Sequence, residues 1–264
     1  MSESKLAIVT GATGAIGGAI ARGIAADSAF EVLLLVRDDK KGRRQVEAIQ
    51  KATGNSRVRH ALVDVSLRAS ILRFAEQFDS PLCVLVNNAA IAPRSRQETS
   101  EGHELMFATN VLGYYWLTLA LASNLAKGAP SRVVNVASYW AGDLDIDDLE
   151  FRRRRYDNNA AYRQSKQANR MLTVALAEQL KPRNITVNAC HPGDVNSTLS
   201  NSLGFGGSES PESGARTPVW LATAASIASA TGKYFADCRE ETCSFARDSK
   251  MIDRLHVACR TQFA

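Results

Sequence analysis

The chain has 264 residues, of which 45% are hydrophobic and 22% charged. That is enough apolar material to bury a sizeable core, which excludes a disordered chain, and no collagen or coiled-coil period is present. The 32 Lys and Arg residues outnumber the 27 Asp and Glu, giving a net charge of +5; this suits an anionic ligand and is too mild to indicate nucleic acid.

The five cysteines are odd in number and scattered, which argues against a disulfide framework and for a reducing compartment. Cys238 and Cys243 have no second Cys/His pair at ligand spacing, so no metal is expected. The longest apolar stretch, 111–122, is too short to span a bilayer, and no signal peptide is expected before the first predicted strand. A soluble, cytoplasmic protein is expected.

In chain order, strands are predicted at 5–10, 31–36, 58–63, 82–87, 132–137, 185–189 and 232–235. Most are continuous apolar runs, as expected of strands covered on both faces. Helix-period segments fall between them, for example at 43–53, 67–78, 101–126 and 160–180. This alternation predicts an α/β fold, a single doubly wound (Rossmann) parallel seven-stranded sheet with helices on both faces. No linker divides 1–264, so a single domain is expected, with a flexible substrate loop near 194–212 that is rich in Ser, Gly and Pro.

Strand one runs directly into Gly11-Ala12-Thr13-Gly14-Ala15-Ile16-Gly17 and then a helix. Glycines there permit a tight turn and let the backbone approach a pyrophosphate at the helix N-terminus, which predicts dinucleotide binding. Strand two ends at Val36, where an NAD site usually keeps an acid, and Arg37 follows. A guanidinium there matches a 2′-phosphate in charge and geometry, so NADP(H) is the expected cofactor. Asp38 is placed to reach a ribose hydroxyl, and Lys40 and Lys41 compete with Arg37 for the phosphate.

Strand three ends in Asp64-Val65 and strand four in Asn87-Asn88-Ala89-Ala90. Asn110 lies within a helix-period segment, where an amide has little local reason to be. Strand five ends at Ser138, at the carboxyl edge where ligands bind in such sheets. Tyr162 and Lys166 are four apart on a predicted helix, which puts them on one face about a turn apart. A cation so placed favours phenolate and lowers the tyrosine pKa.

Together these residues, with His191-Pro192-Gly193, resemble the classical short-chain dehydrogenases/reductases over nearly the whole chain. The segments 161–169, 191–195 and 232–238, and the gap of 24 positions between Ser138 and Tyr162, are similar to the retinol dehydrogenase and WW-domain oxidoreductase branch. The resemblance implies that Tyr162 is the general acid in carbonyl reduction and the base in the reverse direction. It implies that Lys166 lowers its pKa and holds the nicotinamide ribose, Ser138 bonds the substrate oxygen, and Asn110 supports a water relay. Asp64 and Val65 would face the adenine, Asn88 and Ala89 the adenosine ribose, and Pro192, Gly193 and Val195 the nicotinamide. The chain departs from the family at Ala15 and Ala90, where glycine is usual; each adds one methyl and is expected to leave cofactor binding intact.

The expected function is an NADP(H)-dependent oxidoreductase, passing hydride between nicotinamide and a carbonyl or secondary alcohol of a small or medium apolar substrate. Reduction of an activated C=C bond is the alternative, and a non-enzymatic NADP-sensing module the second. The expected partner is that small molecule, without nucleic acid or a membrane span; a homo-oligomer is compatible with the sequence. Tyr139 and Trp140 are candidates for the substrate pocket. The arginine run 152–155 reads as a solvated surface segment, and His60, His103 and His256 as structural.

Overall fold

The computed structural model describes residues 4–262. Its elements run β1 (Lys5–Thr10), α1 (Ala15–Ala25), β2 (Phe30–Val36), α2 (Asp39–Thr53), β3 (Val58–Leu62), α3 (Arg68–Gln77) and β4 (Val84–Asn87). They continue as α4 (Leu105–Phe107), α5 (Gly113–Ala120), α6 (Ala122–Lys127), β5 (Ser131–Val136), α7 (Asn158–Leu180) and β6 (Ile185–Cys190). The last are α8 (Thr198–Ser202), α9 (Pro211–Thr223), β7 (Tyr234–Ala236), β8 (Arg239–Glu241) and α10 (Ser249–Thr261).

One eight-stranded sheet has the order β3-β2-β1-β4-β5-β6-β7-β8. The first seven strands are parallel; β8 returns antiparallel to β7, a strand beyond the seven expected. Strands buried on both faces divide their side chains by parity. Leu6, Ile8, Leu33 and Leu35 join Ile71, Trp116, Leu172 and Leu255 in one core under α3, α5, α7 and α10. Their neighbours Ala7, Val9, Val32 and Leu34 join Ile20, Ile24, Ile49 and Leu221 under α1, α2 and α9. Each fully buried Leu or Ile stabilises the fold by about 1.5–3 kcal/mol.

The order reverses between β1 and β4, which leaves a crevice at their carboxyl ends. The single helix expected over 101–126 is instead interrupted. A π-helical turn, Ala108–Leu112, separates α4 from α5, and α6 starts after Leu121. The Asn110 side chain pins this turn, its Oδ1 accepting from Ile91 N at 2.9 Å and its Nδ2 donating to Ile91 O at 3.1 Å. Gly113 follows because a Cβ there would lie 2.5 Å from Val65 O. Among the described residues, no helix is long and apolar enough to cross a membrane.

Candidate active site

The glycine turn is shaped by contact distances. Gly11 has φ +66°, and a Cβ on it would approach Ala89 Cα to 2.7 Å. A Cβ on Gly17 would stand 2.3 Å from Gly11 O, so the first turn of α1 sits directly on the loop before it. No side chain caps α1 at Gly14, and its first turn carries no acid. The helix therefore offers unspent N–H donors and the positive end of its dipole to the cleft, which fits a pyrophosphate. Thr13, Gly14, Ala15 and Ile16 line the same cleft; Ala15 is exposed, so its methyl meets no protein wall.

The cleft encloses about 1670 Å³, its open mouth included. Arg37, Asp38 and Lys41 form its rim beyond β2. Asp38 has a structural task, because its Oδ1 accepts from Lys41 N at 2.9 Å and caps α2. Both Arg37 and Lys41 are exposed, and among the described residues neither forms an ion pair. Asp64 and Val65 line the cleft beyond β3, with Asp64 Oδ1 accepting from Ser66 N at 2.9 Å and Ser66 Oγ at 2.7 Å. Asn88 and Ala89 line it beyond β4. Their backbone N–H groups donate to Thr10 Oγ1 at 2.9 and 3.0 Å. Sequence reasoning missed this tie, since a threonine ending a strand has no local signature.

A second cavity opens beside the first, lined by Ser138, Tyr162, Pro192, Gly193 and Val195 among others. Ser138 lies two residues past the end of β5, and its Oγ accepts from Trp140 N at 3.1 Å. Helix α7, capped by Asp157, whose Oδ1 accepts from Ala160 N at 2.8 Å, carries Tyr162 and Lys166 on one face. Burial pushes the Tyr162 phenol up to about 12, and a hydrogen bond with Ser138 partly offsets this. Burial pushes the Lys166 ammonium down to about 7. The net shift of the phenol is thus upward, opposite to the expected lowering by Lys166, because desolvation disfavours the charged form of both groups.

Lys166 and Asn110 lie behind the cavity and are 2% and 0% exposed. Lys166 Nζ donates to Val136 O at 2.9 Å and stands 5.6 Å from the ring centres of both Tyr162 and Tyr114. Asn110 Nδ2 also donates to Ser165 Oγ at 3.2 Å, so its amide is spent on clamping Ile91 and α7.

Trp140 packs 5.1 Å from Phe205 and 6.0 Å from Tyr162, and Tyr139 packs 4.7 Å from His191, measured between ring centres. All five rings line this cavity. Burial holds the His191 imidazole down to about 4, so it is neutral near pH 7.

The segment expected to be a flexible loop is held in place. Ser208 N and Glu209 N donate to Asp194 O at 2.8 and 2.9 Å, and Asp194 N donates to Glu209 Oε1 at 3.1 Å. Between these ties, Ser197 caps the short α8. The two cavities meet at Ile16, Ser197 and Leu199, which line both.

The arginine run lies at the surface as expected, with Arg152, Arg153 and Arg155 exposed, and its backbone is organised by the buried Asp148. Backbone N–H groups of Arg152, Arg153 and Arg154 converge on the Asp148 carboxylate at 2.7, 3.3 and 3.0 Å.

A family model described as short chain dehydrogenase matches residues 5–204. Retinol dehydrogenase 13 of Mus musculus is 34% identical over 272 residues, covering 95% of this chain and 81% of that protein. Retinol dehydrogenase 12 of Mus musculus is 35% identical, covering 97% of this chain and 85% of that one. A solved Beutenbergia cavernae structure, assigned as an NAD(P)-dependent gluconate 5-dehydrogenase with NADP bound at low occupancy, has a TM-score of 0.70. It is 27% identical and covers 89% of this chain and 95% of its own.

Proposed function

The chain belongs to the short-chain dehydrogenase family, in the branch of the retinol dehydrogenases, and we propose that it is an NADP(H)-dependent oxidoreductase of a carbonyl or secondary alcohol. The observation that carries this reading is the junction of the two cavities, where the Ser138 and Tyr162 hydroxyls share a cavity that opens into the dinucleotide cleft. NADPH, when bound, supplies the hydride that reduces the carbonyl carbon.

The protein's own residues handle the oxygen. Tyr162, held protonated by burial, gives its phenolic proton to the oxygen as negative charge grows there, and the product is the alcohol. Ser138 steadies that oxygen by hydrogen bonding. The Lys166 ammonium behind the ring favours the phenolate that remains, and in the oxidative direction that phenolate takes the proton back.

Arg37 and Lys41 on the cleft rim support NADP over NAD. Trp140, Leu199, Leu203 and Phe205 in the cavity wall support a small or medium apolar substrate. Five free thiols support a cytoplasmic setting. The test is NADPH consumption against a panel of aldehydes, ketones and enones, with Tyr162→Phe as control. Turnover of aldehydes or ketones that is lost in the variant supports the proposal. Turnover confined to enones would replace it with C=C reduction, and NADPH binding without turnover of any member would make the chain a sensor.

A further inference from the structure

We infer that Arg170 is a positioning residue for Ser138, holding the backbone from which the serine hydroxyl reaches the substrate oxygen; this rests on the proposed reductase reading. Tyr162, Lys166 and Arg170 follow one another at intervals of four along α7, so all three lie on one face of the helix. That face meets the end of β5 on its β4 side, where the pairing with β4 has run out while that with β6 continues to Val136. Strand β4 stops at Asn87, opposite Asn135, and the carbonyls beyond need other donors.

Each later carbonyl on this edge receives a side chain. Val136 O accepts from Lys166 Nζ at 2.9 Å and from Tyr114 OH at 3.3 Å. Ser138 O accepts from Arg170 Nη2. Arg170 is 8% exposed, and its guanidinium is itself anchored. The same Nη2 donates to Tyr234 OH at 2.5 Å, and its carbon lies 3.7 Å from the Tyr234 ring centre and 5.6 Å from that of Phe245. One cation thus ties the serine, on its backbone, to α7, to β7 and to the segment before α10.

Both ends of Ser138 are fixed by these contacts: Arg170 holds the carbonyl, and Trp140 N holds Oγ at 3.1 Å. Without Arg170 a buried carbonyl loses its donor, and the 138–140 segment is free to rotate the hydroxyl away from Tyr162. Errors of about 1 Å in such placement cost on the order of a hundredfold in rate.

The experiment is a double-mutant cycle on the full chain with Ser138→Ala, Arg170→Met and their combination, and with Arg170→Lys as the conservative variant. Measured for each are kcat, KM, the NADPH dissociation constant and Tm, and a crystal structure is solved for Arg170→Met. Arg170→Met should lower kcat roughly 10- to 100-fold with NADPH affinity unchanged, and Arg170→Lys should recover part of the loss. In the Ser138→Ala background, adding Arg170→Met should cost almost nothing more, since the two act through one hydroxyl.

Equal costs of Arg170→Met in both backgrounds, or a loss of NADPH affinity in step with kcat, would overturn the inference in favour of a general packing role. If Arg170→Met does not fold, the same cycle with Arg170→Lys decides by the same criterion. If the parent turns over no substrate, the reductase reading fails by itself, and the crystal structure still decides this one. Ser138 carbonyl and Oγ unmoved in Arg170→Met would overturn it.

Discussion

Replacing Arg37 with alanine tests the choice of cofactor at a site where each neighbour's role is already assigned. Arg37 stands on the cleft rim just past the buried Val36. Asp38, beside it on that rim, caps α2 through Oδ1 and keeps Oδ2 for a ribose hydroxyl. A 2′-phosphate would bring close to two negative charges to this corner and could take two parallel N–H bonds from the guanidinium. Charged hydrogen bonds contribute about 1.5–3 kcal/mol. Because Arg37 is exposed, solvent screening puts the contact at the lower end, about 1.5 kcal/mol, or roughly tenfold in affinity. Arg37→Ala should therefore weaken NADPH binding about tenfold and leave NADH nearly unchanged. Arg37→Ala with Lys41→Ala should lose more than either alone, because both cations face the same corner. Fluorescence titration of both cofactors against parent and variants, at one fixed ionic strength, makes the comparison. A parent that binds NADH as tightly as NADPH, or an Arg37→Ala that weakens both cofactors equally, would falsify the assignment.

Tyr162→Phe should keep NADPH affinity and lose turnover by roughly two to four orders of magnitude; turnover within tenfold of the parent would remove Tyr162 from its role. Lys166 links stability to pH. Unfolded, a lysine keeps its proton to about pH 10.4, whereas the folded one gives it up near 7. The unfolded state thus binds more protons above pH 7, and the parent should gain up to about 1.4 kcal/mol per pH unit between about pH 7 and 8.5 relative to Lys166→Met. Denaturant titrations that run parallel for the two proteins would rule this out. Gly17→Ala would bring a methyl 2.3 Å from Gly11 O and 2.5 Å from Asn88 Nδ2. It should destabilise the fold by about 1–3 kcal/mol and weaken NADPH binding; a variant with parental Tm and affinity would show that the turn can yield.

The parts of the site that were legible in the sequence are those whose residue type follows from local chemistry. A glycine turn between a strand and a helix, and a tyrosine four before a lysine, need only the backbone periods to be placed. The remainder depends on distant partners. Strand β8 is short and exposed at all three positions, and its turn uses Asp237 and Cys238 at φ 46° and 57° where asparagine and glycine would have signalled a hairpin. An apolar stripe looks the same whether or not a helix widens for one turn; the π-helical turn is set by Ile91, far away in the chain, gripping Asn110. In the 194–212 segment the signal was present and masked by composition. Ser210 before Pro211 is an N-cap followed by a first-turn proline, yet serine, glycine and proline together suggest a loop. Asp148 likewise organises the arginine run from outside it, through backbone N–H groups that carry no side-chain signature. Arg170 shows the same dependence at the site itself. The spacing of four that joins Tyr162 to Lys166 continues to it, but the reason to extend the series appears only when the sheet edge presents a bare Ser138 carbonyl one helical turn further along.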